Sequence, residues 1–179
     1  MRKDAVFMIR CKPERNPKQT LFMLLSFISL ALLTGLFCVY ADSIGIPQVI
    51  PQALFAAVVL VALYYMIRYS LTEIEYELGA DTLTVIKTTG RRRVVAGTLD
   101  LAETVAFIPK SEFKKNKSRY GNIDKSFNYR QNPTGDSMIY IFRFSGLIAM
   151  IDFEPNAPFV EAMRDNIDSC RKDSEADSL

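Results

Sequence analysis

The sequence predicts a membrane α-helical hairpin joined to an α+β domain, an antiparallel β-sandwich or barrel with one C-terminal amphipathic helix. Three observations predict it. Between Leu21 and Ile67 the only charged residue is Asp42, which divides two apolar runs, residues 21–41 and 43–67. From Thr72 onward the pattern changes to short, turn-bounded segments rich in Val, Ile and Thr, the first of them strictly alternating. In residues 157–171, Phe159, Val160, Met163, Ile167 and Cys170 recur at helical spacing.

The apolar runs are long enough to cross a bilayer. A hydrocarbon core is about 30 Å thick and a helix rises about 1.5 Å per residue, so about 20 apolar residues suffice. The predicted spans are 21–41 and 47–69, within a hairpin at 21–70. A mean hydropathy of only +0.08 conceals them, because it averages an apolar third against a polar remainder. The flanks carry Arg2, Lys3, Arg10, Lys12, Arg15 and Lys18 on one side and Arg68 and Arg91–Arg93 on the other, whereas residues 42–47 hold no Lys or Arg. The positive-inside rule then places both termini in the cytoplasm and the hairpin turn outside, in a plasma membrane of bacterial type. Val39-Tyr40-Ala41 has the small residues of a signal-peptide cleavage site, but the apolar run exceeds the about 7–15 residues of a signal core, so the helix is expected to be retained.

Gly45, Pro47 and Pro51 mark the turn and the start of the second helix. Pro13 and Pro17 are expected to stop the first helix from extending upstream of Leu21, leaving 1–20 as a basic cytoplasmic segment in which residues 5–10 suit a short strand. Tyr64, Tyr65, Arg68 and Tyr69 stand where an aromatic and cationic interface anchor belongs. No Asp, Glu, Lys or Arg lies inside either run, which argues against an ion or proton path through these two helices alone.

In Thr72–Leu78 the alternation puts Ile74, Tyr76 and Leu78 on one face and Glu73, Glu75 and Glu77 on the other, a half-buried strand with a solvated carboxylate face rather than a metal cage. Further strands are expected at 83–88, 91–97 and 104–108. Residues 110–136 show no apolar period and read as a basic loop, in which 127–129 suits a short strand. The strands 138–144 and 147–153, joined by Ser145-Gly146, form a hairpin. Asn156 suits the cap of the last helix, and 172–179 is expected to be a disordered tail. The domain as a whole spans 72–171.

The absence of histidine removes the commonest general base and metal ligand. Cys11, Cys38 and Cys170 are too few and too scattered for a disulfide framework. No nucleophile–base pair, phosphate-binding glycine loop or metal spacing occurs, so the expectation is a non-enzymatic protein without cofactor or metal.

Glu73-Ile74-Glu75-Tyr76-Glu77, Arg91-Arg92-Arg93, residues 104–109 and Phe153-Glu154-Pro155-Asn156 before the helix carry a family resemblance. Together with about six antiparallel strands and one terminal helix, they resemble the pleckstrin-homology-like (PH-like) fold. Following a two-helix hairpin, the whole is similar to bacterial two-helix membrane proteins with a PH-like cytoplasmic domain. The resemblance extends over roughly residues 1–170 and is weakest at 110–136. It implies a fold and a topology but no substrate, since PH-like folds serve lipid, peptide and scaffold roles.

Two functions follow as expectations. One is an interaction or scaffold domain displayed at the cytoplasmic membrane surface, receiving a membrane-protein partner or a second copy on an edge strand or helix groove. The other is an anionic-phospholipid module of the inner leaflet, using Arg91, Arg92, Arg93, Lys110, Lys114, Lys115, Lys117 and Arg119 as headgroup ligands. Nucleic acid ranks below both, because no recognition motif accompanies the cations.

Overall fold

The computed structural model describes residues 8–176, with side chains through Lys172. Residues 5–7 and 177–179, which complete the N-terminal strand and the tail expected above, lie outside the described residues. The described residues divide into two compact units, residues 15–72 and the combination of 8–14 with 73–176.

In the first unit α1 spans Pro17–Tyr40 and α2 spans Val49–Tyr65. The first helix begins at Pro17 rather than Leu21. Proline blocks a helix only from its interior; at the first position its missing N–H costs no bond, and Asn16 Oδ1 caps the turn by accepting from the N–H groups of Lys18 (3.1 Å) and Gln19 (3.4 Å). The chain reverses through a 3-10 turn at Asp42–Ile44 that ends at Gly45, whose φ of 74° suits glycine. Gln48 Nε2 donates to the carbonyl of Cys38 at 3.2 Å across the turn. After Tyr65 the helix widens into a π-helical turn, Met66–Leu71, before β2 begins. Both helices are long and apolar enough to cross a membrane, and their side chains are largely uncovered: Phe22 is 75 % exposed and Val49 74 %.

The second unit holds two four-stranded sheets. The first has the order β1-β2-β3-β4, with β1 at Ile9–Cys11, β2 at Thr72–Leu78, β3 at Thr82–Thr89 and β4 at Arg92–Asp100. The second has the order β5-β7-β8-β6, with β5 at Thr104–Pro109, β6 at Lys125–Asn128, β7 at Met138–Phe144 and β8 at Leu147–Phe153. The last helix, here α4, covers Ala157–Ala176. Residues 172–176, expected in a disordered tail, instead continue the helix past 171, as good helix formers such as Lys172, Glu175 and Ala176 allow without an apolar face. β1 pairs antiparallel with β2 through Ile9↔Leu78, Arg10↔Glu77 and Cys11↔Tyr76, so the helical hairpin is inserted in sequence between two neighbouring strands of one sheet.

The core forms where the apolar faces of both sheets meet α4. Ile74, Tyr76 and Leu78 of β2, Leu83 and Val85 of β3, Tyr140 and Phe142 of β7, and Phe153 of β8 close on Phe159, Met163 and Ile167 of α4. Asn156 Oδ1 caps α4 by accepting from the Phe159 N–H at 3.1 Å. The β7–β8 hairpin turns at Ser145 and Gly146 with φ of 51° and 79°, the primed geometry that matches strand twist.

Three further features differ from the sequence reading. β4 runs on to Asp100 instead of ending at Gly97, because a bulge between Val85↔Gly97 and Ile86↔Val95 resets the alternation and lets pairing continue to Thr82↔Asp100. β6 lies at 125–128, not 127–129, and pairs with β8 in parallel, Lys125↔Ala149 through Asn128↔Asp152. Residues 110–136 are not a structureless loop. They contain α3 (Lys110–Lys115), a 3-10 turn (Lys117–Tyr120) and β6, and Phe113, Tyr120 and Ile123 cover Ile139 and Ile141 on the outer face of the second sheet.

Candidate functional site

The basic residues singled out by sequence separate into two groups once their partners are known. Arg93 Nη2 reaches Glu75 and Glu77, each at 3.1 Å, and Glu77 also meets Arg10 Nε at 3.0 Å. With Lys12 on Glu73 at 2.7 Å, the glutamate face of β2 is met by cations from β4 and the N-terminal segment. Its carboxylates are thus engaged by cations on the sheet's outer face, and no metal-binding group occurs among the described residues. Lys110 pairs with Asp152. Arg91, Arg92, Lys114, Lys115, Lys117 and Arg119 are exposed.

Asp152 belongs to a buried charge cluster that sequence reasoning missed. Arg130, itself only 7 % exposed, lies 3.9 Å from Asp152 and 3.4 Å from Glu154 and donates to the carbonyl of Gly135 at 3.0 Å. Glu154 Oε2 accepts from the N–H groups of Gln131 (3.1 Å) and Asn132 (3.0 Å), and Gln131 Oε1 accepts the Ile74 N–H at 3.0 Å. Buried charges persist only when paired and hydrogen-bonded. This cluster ties the 130–135 connection to β2 and β8, which fixes one wall of the opening beside it.

That opening is a cleft of about 940 Å³. Lys110, Lys114 and Lys115 come from α3, Ser137 and Met138 from the entry to β7, and Val160, Glu161 and Arg164 from α4. Sequence reasoning placed the three lysines in a loop and did not single out Arg164. Only the fold brings them around one space. Arg91, Arg92, Lys117 and Arg119 are not among its lining residues.

The expected anchor residues form a stacked group within the helical unit. Tyr65 stacks on Tyr69 with ring centroids 5.8 Å apart, and the Arg68 guanidinium sits 5.0 Å from the Tyr69 ring. Arg68 and Tyr69 lie on the π-helical turn, Tyr65 just before it.

Elsewhere in the domain, burial pushes the Cys11 thiol above its ordinary range, only partly offset by the N–H of Asn156 donating to Sγ at 3.3 Å. A buried thiol with a raised pKa is a poor nucleophile. Burial likewise pushes the Tyr140 phenol up to about 12, opposed by its hydrogen bond with Thr104 Oγ1 at 2.9 Å.

Two apolar helices, two packed sheets and a terminal helix define a PH-like domain protein preceded by a pair of helices of membrane-spanning length. The model of the family described as Bacterial PH-like domain (DUF6106) matches residues 10–170. The chain belongs to that family, and the match takes in both apolar helices as well as the sheets. No curated protein matches the chain.

Proposed function

We propose that this is an integral protein of the bacterial plasma membrane whose PH-like domain is a non-enzymatic docking module on the cytoplasmic side. The observation that carries this reading is β4. It is a nine-residue strand at the edge of its sheet, with Val94 44 % and Val95 59 % exposed at consecutive positions, one on each face of the strand. An edge strand offers unpaired backbone groups to an extended segment of another chain, and adjacent exposed valines supply side-chain contact. The exposed Arg91 and Arg92 at its start favour a partner segment with acidic residues at that end.

Membrane integration is supported by the exposure of the two apolar helices, which the core helices of a soluble protein would not share. The pairing of β1 with β2 supports both ends of the hairpin lying on one side of the membrane, and the basic flanks favour the cytoplasmic side.

The test uses the full-length tagged protein in its own membrane. A photo-crosslinking residue at Val95 should capture one stoichiometric partner, and Val95→Lys should abolish its recovery by affinity purification. Equal recovery with Val95→Lys refutes docking at this edge. For orientation, Ser43→Cys should react with a membrane-impermeant thiol reagent from outside intact cells; labelling only after lysis refutes the topology.

A further inference from the structure

The cleft between α3 and the start of α4 has no part in the docking role of β4, yet its chemistry is specific. We propose that it is a binding site for an organic phosphate ester.

The argument begins with what its walls have left to offer. The β5–β7 ladder continues past Pro109, with the Lys110 N–H donating to the Ser137 carbonyl at 2.9 Å. The Lys110 N–H and the Ser137 carbonyl are therefore already paired with each other, and recognition falls to side chains. Lys110 is already held by Asp152. Lys114, Lys115 and Arg164 line the cleft and form no ion pair among the described residues. Ser137 also lines it, is 7 % exposed, and its hydroxyl has no hydrogen-bond partner among the described residues. The oxygen itself is closed to solvent in the free protein, where a buried donor left unpaired is a standing penalty, so a ligand that opens the wall enough to accept from it relieves that penalty.

Donors on three separate elements suit an acceptor that takes bonds from several directions. A phosphate does so, and guanidinium and ammonium groups are its usual ligands. Asp136 and Glu161 also line the cleft. Three unpaired cations less these two carboxylates leave one net positive charge, which matches a phosphate diester and offsets most of the charge of a monoester, and disfavours polyphosphates and nucleic acid. The volume of about 940 Å³ far exceeds a bare phosphate and lies at the upper end of ordinary ligand sites, about 300–1,000 Å³. Pro109, Met138 and Val160 supply the apolar wall for the organic part. A phospholipid headgroup and a soluble phosphate ester present the same chemistry.

The experiment has two arms on the full-length protein. In neutral detergent, calorimetry with glycerol 3-phosphate reads the soluble source. In nanodiscs of phosphatidylcholine with or without phosphatidylglycerol, native mass spectrometry reads retained lipid. Saturable binding in either arm is expected, and the arm that binds identifies the source. Lys114→Gln with Lys115→Gln, and separately Arg164→Gln, should each weaken it at least tenfold, while Glu161→Gln should strengthen it and Val95→Lys leave it unchanged. Ser137→Ala should weaken binding severalfold yet leave the melting temperature of the free protein unchanged or higher. No saturable binding in either arm overturns the proposal, as does equal affinity in the cation variants. So does a Ser137→Ala protein that melts earlier but binds as before, because the hydroxyl would then serve the fold alone.

Discussion

The phenol of Tyr76 and the backbone of Glu154 meet at 3.1 Å, the Glu154 N–H donating to the tyrosine oxygen. The same hydroxyl donates to the Tyr129 carbonyl at 2.7 Å. One fully buried side chain on β2 thus satisfies backbone groups from the end of β8 and from the connection after β6, and its ring packs edge-on against Phe153 at 5.1 Å. Tyr76→Phe keeps the packing and removes both bonds. Leaving two buried backbone groups unpaired should cost about 2–4 kcal/mol. Urea unfolding of the full-length protein in detergent should show the midpoint falling with the slope unchanged.

The buried charge cluster predicts a different mutational signature. Glu154→Ala leaves Arg130 facing the remaining half-satisfied Asp152 and removes the acceptor for two backbone N–H groups, so a loss of about 3–5 kcal/mol is expected. Asp152→Asn should cost less, because the amide can still accept from Lys110. Equal losses for both variants, measured by the same denaturation, would show that Glu154 owes its importance to charge alone.

Alkaline pH should weaken the fold through Tyr140. Its phenol is raised to about 12 by burial, so the folded state favours the protonated form. The contribution is fully present below the unfolded value of about 10 and is lost as pH rises through about 12. Two units correspond to at most about 3 kcal/mol. Tyr129, raised in the same direction by burial, adds a loss of the same sign. Tyr140→Phe should be less stable at neutral pH, having lost the bonds to Thr104 and the Asp100 carbonyl. Its stability should then fall less steeply between pH 10 and 12 than that of the unaltered protein.

How far the sequence reaches depends on whether a signal is local. The apolar runs and the Thr72–Leu78 alternation are legible because burial of one face or one span leaves a period in the chain. β7 is buried on both faces, Ile139 through Phe142 in succession, and is legible only as a short apolar run. The 110–123 cover has no period because Phe113, Tyr120 and Ile123 are delivered by an irregular succession of turns. Nothing local separates Arg93, engaged by two glutamates across β3, from Arg92 next to it. Arg164 and Ser137 entered no sequence-based list, since their relation to Lys114 and Lys115 exists only after the chain has folded.

The cover over the second sheet yields the last prediction. Phe113 is 6 % exposed and packs with Tyr120 at a centroid distance of 5.9 Å above Ile139 and Ile141. Phe113→Ala removes that anchor, at a cost of about 3–5 kcal/mol if the gap does not collapse. The loss should be largely local, because the main core around Tyr76, Phe153 and Phe159 is a separate cluster. Limited trypsin digestion should therefore cut faster after Lys114, Lys115 and Lys117 in the variant, while hydrogen exchange in β2 and β3 stays slow. If those lysines are cut equally fast in the unaltered protein, residues 110–123 behave as the open loop the sequence suggested, and the cleft they wall would lack a fixed shape.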